Sequence, residues 1–319
     1  MDASTPSSRV KTRILIISDT HGASSLPGNR PLGSVDVVFH CGDLKKESKL
    51  AEFHETLNLM NSIKAPLKLV IAGNHDWTLD APIFAKKIAE IPPPVDMEMA
   101  RRRHDDFGEA RRLLQASAKN EDDNVDDADV VLLDEGTHTF ALSNGALLNL
   151  FASHYSYTLS GDDRGFQRGP PIGHRGGVEV VVTHGPPSGV LDRTATGSRL
   201  GCPVLLTAVA LALLRARTSG LGRDGIGGHA GRAPASHFEA FDNDWSVVVE
   251  PLAGLTPGRS DEPGAVAERR RKLEAWDEHP LVKGEQTLFV NAAIEEGEDQ
   301  PQHLPWIVDI ELPSARGAV

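Results

Sequence analysis

Hydrophobic residues along this chain fall into short, dense runs that stop abruptly at polar residues. "RILIISDTHG" opens with four consecutive branched apolar residues, Ile14 to Ile17, and ends at Gly22. "VDVVFHCGDL" repeats the shape, with Val35 to Phe39 ahead of Gly42 and Asp43. "LKLVIAGNHD" and "VEVVVTHGPP" do the same, the latter through Val178 to Val182. Continuous apolar runs of this length, bounded by turn residues, predict strands buried on both faces. Between the second and third runs, Leu50, Phe53, Leu57 and Met60 recur at helical spacing, with Ser48 as the expected cap. Strands alternating with helices predict parallel βαβ units, whose ligands sit beyond the carboxyl ends of the strands.

Later segments follow a looser pattern. Met97 to Asp129 is charged throughout and predicts a helix followed by an acidic loop, an insertion with a solvated face. "VVLLDEGTHTFALSNGALLNLFASHYSY" predicts strand, hairpin and strand, turning at Asn144-Gly145. "PVLLTAVALALL", Pro203 to Leu214, is too short to span a bilayer and predicts a buried helix. Residues 251–280 predict a second helical insertion, with Arg269-Arg270-Arg271 on a solvated face. "TLFVNAAI" and "PWIVDIEL" predict two closing strands. The expected organisation is a disordered tail over 1–12, then a single α/β domain over 13–313 with insertions near 97–129 and 251–280.

Composition narrows the function. A net charge of −12 argues against a groove for long nucleic acid, which needs a basic face to displace counterions. It leaves room for a small phosphate ester, since bound cations can supply positive charge locally. Two cysteines, Cys41 and Cys202, give no disulfide framework and suit a reducing compartment. With no apolar leader and no span, the expectation is a cytoplasmic protein without a membrane partner.

The strand ends carry the chemistry. Four apolar runs finish in Asp19-Thr20-His21, Gly42-Asp43, Asn74-His75-Asp76 and His184-Gly185. Singly each is ordinary turn chemistry. Together they project carboxylates, imidazoles and an amide from one edge of a sheet. Oxygen and nitrogen donors without thiolates suit Mn, Fe or Zn, and a carboxylate such as Asp43 can bridge two cations. "GLGRDG", Gly220 to Gly225, formally fits a dinucleotide loop but follows a helical stretch rather than a strand. His154 and His174 lie where they could reach a substrate.

In order and spacing, DTH, GD, GNHD and THG resemble the calcineurin-like metallophosphoesterases. "GNHD", "THGPP", Gly201-Cys202 and "TLFVNAA" resemble the small metallophosphoesterase-domain proteins grouped with class III cyclic nucleotide phosphodiesterases. The resemblance implies a four-layer α/β/β/α sandwich of two mixed sheets. It implies two divalent metal ions, one held by Asp19, His21 and Asp43 and the other by Asp43, Asn74 and His184. His75 would face the leaving group, oriented by Asp76. The implied activity is hydrolysis of a small phosphate ester or nucleotide, such as a cyclic nucleotide, with metal-activated hydroxide.

One motif departs from the family. A Gly-His-x-His usually closes the site, its first His on the second metal and its last on the first. Here "GGHAG" places His229 at the first position and Gly231 at the last, and the preceding residues, 223–227, are not an apolar strand. His229 remains a candidate ligand, the first metal is expected to be weakly held, and His237 lies six positions beyond Gly231 along the loop. The alternative is a nucleotide-binding or regulatory protein with an impaired metal site.

Overall fold

The computed structural model describes residues 8–27, 33–104, 106–116, 130–154, 177–192, 197–206, 287–294 and 303–315. Two mixed sheets dominate. The first runs β4-β3-β2-β1-β8 and comprises β1 (Arg9–Ile17), β2 (Val37–His40), β3 (Lys68–Val70), β4 (Val130–Leu132) and β8 (Trp306–Pro313). β1 to β4 are parallel, and β8 closes the edge antiparallel to β1. The second sheet runs β5-β6-β7, from β5 (Gly136–Ala141), β6 (Leu147–Ser153) and β7 (Val180–Thr183).

The apolar runs are continuous because both faces of the first sheet are covered. Leu15, Ile17, Val38 and Val70 pack against Phe53, Leu57 and Met60 of α1 (Leu50–Ser62) and Leu114 of α4 (Glu109–Ala116). Their alternates Ile14, Val37, Phe39, Leu69 and Ile71 point the other way, onto Leu148, Leu150, Ala152 and Val182 of the second sheet. On the outer side of that sheet Phe151 packs with Cys202 and Leu205, and residues 203–206 are helical. The layers are thus helix, sheet, sheet and the start of an outer helix. Each fully buried Leu or Phe contributes roughly 1.5–3 kcal/mol of transfer free energy.

Four expectations need correction. β1 starts at Arg9, inside the expected tail of 1–12, because Arg9 to Thr12 pair with Pro313 back to Ile310 on β8. Beyond α2 (Ala81–Ala89), the charged segment after residue 97 forms α3 (Met97–His104) and α4, and α4 is no solvated insertion, since Ala110 and Leu114 are buried in the core. Ser48 does not cap α1. Its φ is +63°, its hydroxyl donates to the His75 carbonyl at 2.7 Å, and Lys49 holds the N-cap position. The helix start is fastened instead by the Glu52 carboxylate, which accepts from the Lys49 amide at 2.9 Å. "TLFVNAAI" forms no strand; beside the single bridge from Ser18 to Ala293, Trp306 Nε1 of β8 donates to the Asn291 carbonyl at 2.8 Å and Ala292 packs on Trp306 and Val308. The second insertion (251–280), His174, His237, the Gly220 loop and most of the helix expected over 203–214 lie outside the described residues.

Candidate metal centre

The loops after β1 and β2 are stitched together beyond the last sheet pairing. Asp19 N donates to Gly42 O at 3.0 Å, His21 N to Asp43 O at 3.2 Å, and Gly22 N to Leu44 O at 2.8 Å. This lattice brings Asp19, His21 and Asp43 together, with ligand atoms from all three within 4.8 Å of one another. All three have left-handed backbones, at φ +54°, +47° and +52°. Non-glycine residues rarely adopt that region, and clusters of them mark places where the surrounding structure holds strain for function.

The donor set fits a divalent cation. His21 Nδ1 is buried with no hydrogen-bond partner, and an orphaned buried ring nitrogen is costly unless something binds it. Burial, and secondarily the Asp43 carboxylate, pushes the Asp19 pKa up, against the pull of His184 and Ser18. A cation would compensate both effects.

Asp43 also faces a second group of donors. His184 Nδ1 lies 2.9 Å from the Cys41 carbonyl, and a proton there leaves a lone pair on Nε2. That Nε2 stands 2.9 Å from Asn74 Oδ1 and 3.4 Å from Asp43 Oδ1. Three lone pairs converging in this way repel one another, and a cation among them removes the conflict. The Nδ1–carbonyl contact is the usual outer support of a metal-binding histidine.

Two glycines make this approach possible. A Cβ on Gly73 would lie 2.2 Å from both Asp43 N and Asp43 Oδ1. On Gly42, at φ +100°, it would meet His184 Nδ1 at 2.7 Å and the Gly73 backbone at 2.8 Å.

His75 adjoins the cluster, its ring edge-on to that of His21 with centroids 5.2 Å apart. Its Nδ1 lies 2.9 Å from the Lys46 carbonyl, and its amide donates to Asp43 Oδ1 at 2.9 Å. The expectation that Asp76 orients His75 is corrected here. Asp76 is fully buried and accepts from Gly73 N at 2.8 Å and Leu44 N at 3.1 Å, so it braces the loop while the Lys46 carbonyl meets the ring. Burial raises the Asp76 pKa, while Lys45 and these amides pull it down.

Sequence reasoning missed two supports. His40, fully buried at the end of β2, has Nε2 2.8 Å from Thr20 Oγ1, between two candidate ligands. Burial, then the fields of His184 and His21, push its pKa down to about 3, which keeps it neutral. Lys45 is fully buried in a stretch, "LKKES", that reads as solvated. His154 follows β6, and burial lowers its pKa; Asp134, Arg111, Asp80 and His138 are its titratable neighbours. His229 and Gly231 lie outside the described residues.

Residues 12–208 match the calcineurin-like phosphoesterase family. The chain belongs to that family. Metallophosphoesterase domain-containing protein 1 of Homo sapiens is 26% identical over 208 residues, covering 62% of this chain and 56% of the relative. The UPF0046 protein T07D4.2 of Caenorhabditis elegans is 27% identical over 215 residues, covering 66% and 50%. The chain therefore spans about half the length of the curated relatives it matches. These relatives bear out the resemblance to the small metallophosphoesterase-domain proteins, and divalent metals are general to the family. Among the described residues no helix is long and apolar enough to cross a membrane.

Proposed function

We propose that this protein is a phosphoesterase using two divalent metal ions, of Mn, Fe or Zn, to hydrolyse a small phosphodiester or phosphomonoester. The observation that carries the reading is the position of Asp43, clustered with Asp19 and His21 and 3.4 Å from His184 Nε2, which in turn meets Asn74 Oδ1. When bound, such ions neutralise phosphoryl charge and make hydroxide available near neutral pH. Asp43 is the carboxylate shared by both groups of donors. Asp19 and His21 complete one group, Asn74 and His184 the other, and His229 is proposed to join the second.

His75 is the proton donor in this reading. Its Nδ1 donates to the Lys46 carbonyl, which fixes the ring; as the imidazolium, His75 then gives its Nε2 proton to the leaving oxygen. Such a donor is worth roughly 10²–10⁴-fold in rate. A cyclic nucleotide is the proposed substrate class, drawn from the subgroup resemblance. A cytoplasmic location fits the two free cysteines.

The test is metal analysis of the purified protein with hydrolysis of bis-p-nitrophenyl phosphate in added Mn²⁺. Two metals per chain and metal-dependent turnover support the reading. Nucleotide binding without turnover would favour the regulatory alternative that Gly231 motivates.

A further inference from the structure

The loops carrying Asp43 and His75 are joined by a buried polar brace. From the β3 side, Asp76 accepts the Leu44 amide. From the β2 side, Lys45 Nζ donates to Thr78 Oγ1 at 2.8 Å, and the Ser48 hydroxyl donates to the His75 carbonyl at 2.7 Å. Lys45, Ser48 and Asp76 are each 0% exposed. The Lys45 ammonium also lies 3.0 Å from the centroid of the Phe53 ring, on α1. A fully buried ammonium is expensive unless charge and hydrogen bonds compensate it. Here the compensation comes from Thr78, the Phe53 face and the field of Asp76.

We propose that Lys45 is a positioning residue: by bonding Thr78 and balancing the buried Asp76, it holds the Gly73–Thr78 loop so that His75 meets the leaving group. Thr78 and Asp76 lie in the segment after β3, and Phe53 lies on α1. The Asp19/His21/Asp43 cluster has its own backbone stitching to hold it. Lys45 therefore acts on His75 rather than on that cluster. The inference rests on the proposed acid role of His75.

The experiment compares Lys45→Met, Asp76→Asn, the double variant Lys45→Met/Asp76→Asn, and Thr78→Val, beside His75→Ala. Hydrolysis is followed on phosphodiesters with p-nitrophenol and with simple alcohols as leaving groups. Hydrogen exchange of the Gly73 and Leu44 amides is followed in metal-free protein, and Mn²⁺ binding is measured directly. Lys45→Met is expected to keep Mn²⁺ at the Asp19/His21/Asp43 group while weakening it at the Asn74 group, whose loop it braces, and to speed exchange of the Gly73 amide; at saturating Mn²⁺ it should lose kcat on the order of tenfold or more on alkyl esters, with far less loss on aryl esters. KM should change little. The double variant, with no unbalanced buried charge, should recover part of that loss relative to Lys45→Met. Thr78→Val should show the same leaving-group bias more weakly, and it decides the matter if Lys45→Met does not fold. A leaving-group bias in His75→Ala but none in Lys45→Met or Thr78→Val overturns the positioning role alone. No bias in His75→Ala itself means that the acid assignment has failed instead.

Discussion

The backbone amide of His75 donates to Oδ1 of Asp43 at 2.9 Å, tying the proposed proton donor to the carboxylate proposed to be shared by the two candidate groups of metal ligands. That oxygen also faces His184 Nε2. Displacing Asp43 is thus expected to disturb metal binding and the placement of His75 together.

Asp43→Ala is the first prediction. Without the shared anion, the two groups of donors present fewer negative charges to two cations. Metal per chain should fall to near zero, and turnover should drop by at least ~10² because the metal contribution is lost. Elemental analysis of the purified variant checks it; two metals retained would remove the bridging role.

His75→Ala should keep bound metal and lose rate. The loss should be greatest, on the order of 10²-fold or more, for esters whose leaving alcohol is a strong base. Equal losses on aryl and alkyl esters would show that His75 does not protonate the leaving group.

Gly73→Ala and Gly22→Ala should behave differently. At Gly73 the added Cβ would collide with Asp43 at 2.2 Å, so the carboxylate or the loop must move and metal affinity should fall steeply. At Gly22, with φ +78° and nothing within 4 Å, the cost is backbone strain of about 1 kcal/mol. Thermal melts and Mn²⁺ titrations of both variants separate the two effects.

The β1–β8 edge predicts a pH dependence. Arg13 meets Asp309 through Nε at 2.8 Å and Nη2 at 3.1 Å, and Lys11 Nζ approaches it at 3.1 Å. The Arg13 hydrogen bonds, foremost, hold the Asp309 carboxyl below its ordinary 3.8. The folded pKa is lower than the unfolded one, so this stabilisation is fully present above pH 3.8 and is lost as pH falls through the folded value. Asp309→Asn should cost about 1 kcal/mol at neutral pH, discounted because Arg13 is partly exposed, and nothing once Asp309 is protonated. Denaturant melts of both proteins down the acid range test this; a gap that persists undiminished in acid would contradict it.

The parallel core and the donor set were legible in the sequence for one reason. Runs such as Ile14–Ile17 are buried on both faces, and residues no strand interior needs must sit at their ends. The brace was not legible. Lys45 lies in a polar stretch, and its burial depends on Thr78 and Phe53, remote in sequence. Asp76 adjoins His75 in the chain, which suggested a pair, yet the backbone turn delivers it to the Gly73 and Leu44 amides. Arginines in α4 masked the buried Ala110 and Leu114, and apolar "TLFVNAAI" read as a strand although its apolar residues pack on β8 and its β-pairing is the one bridge to Ser18.

The most direct test of the central claim is Mn²⁺ titration of metal-free protein, following EPR and bis-p-nitrophenyl phosphate hydrolysis in the same samples. The account predicts that activity saturates when two ions are bound per chain, with a spin-coupled signal that Asp43→Ala abolishes. A folded protein that hydrolyses the ester with no bound divalent metal, or that binds two uncoupled ions indifferent to Asp43, would contradict it.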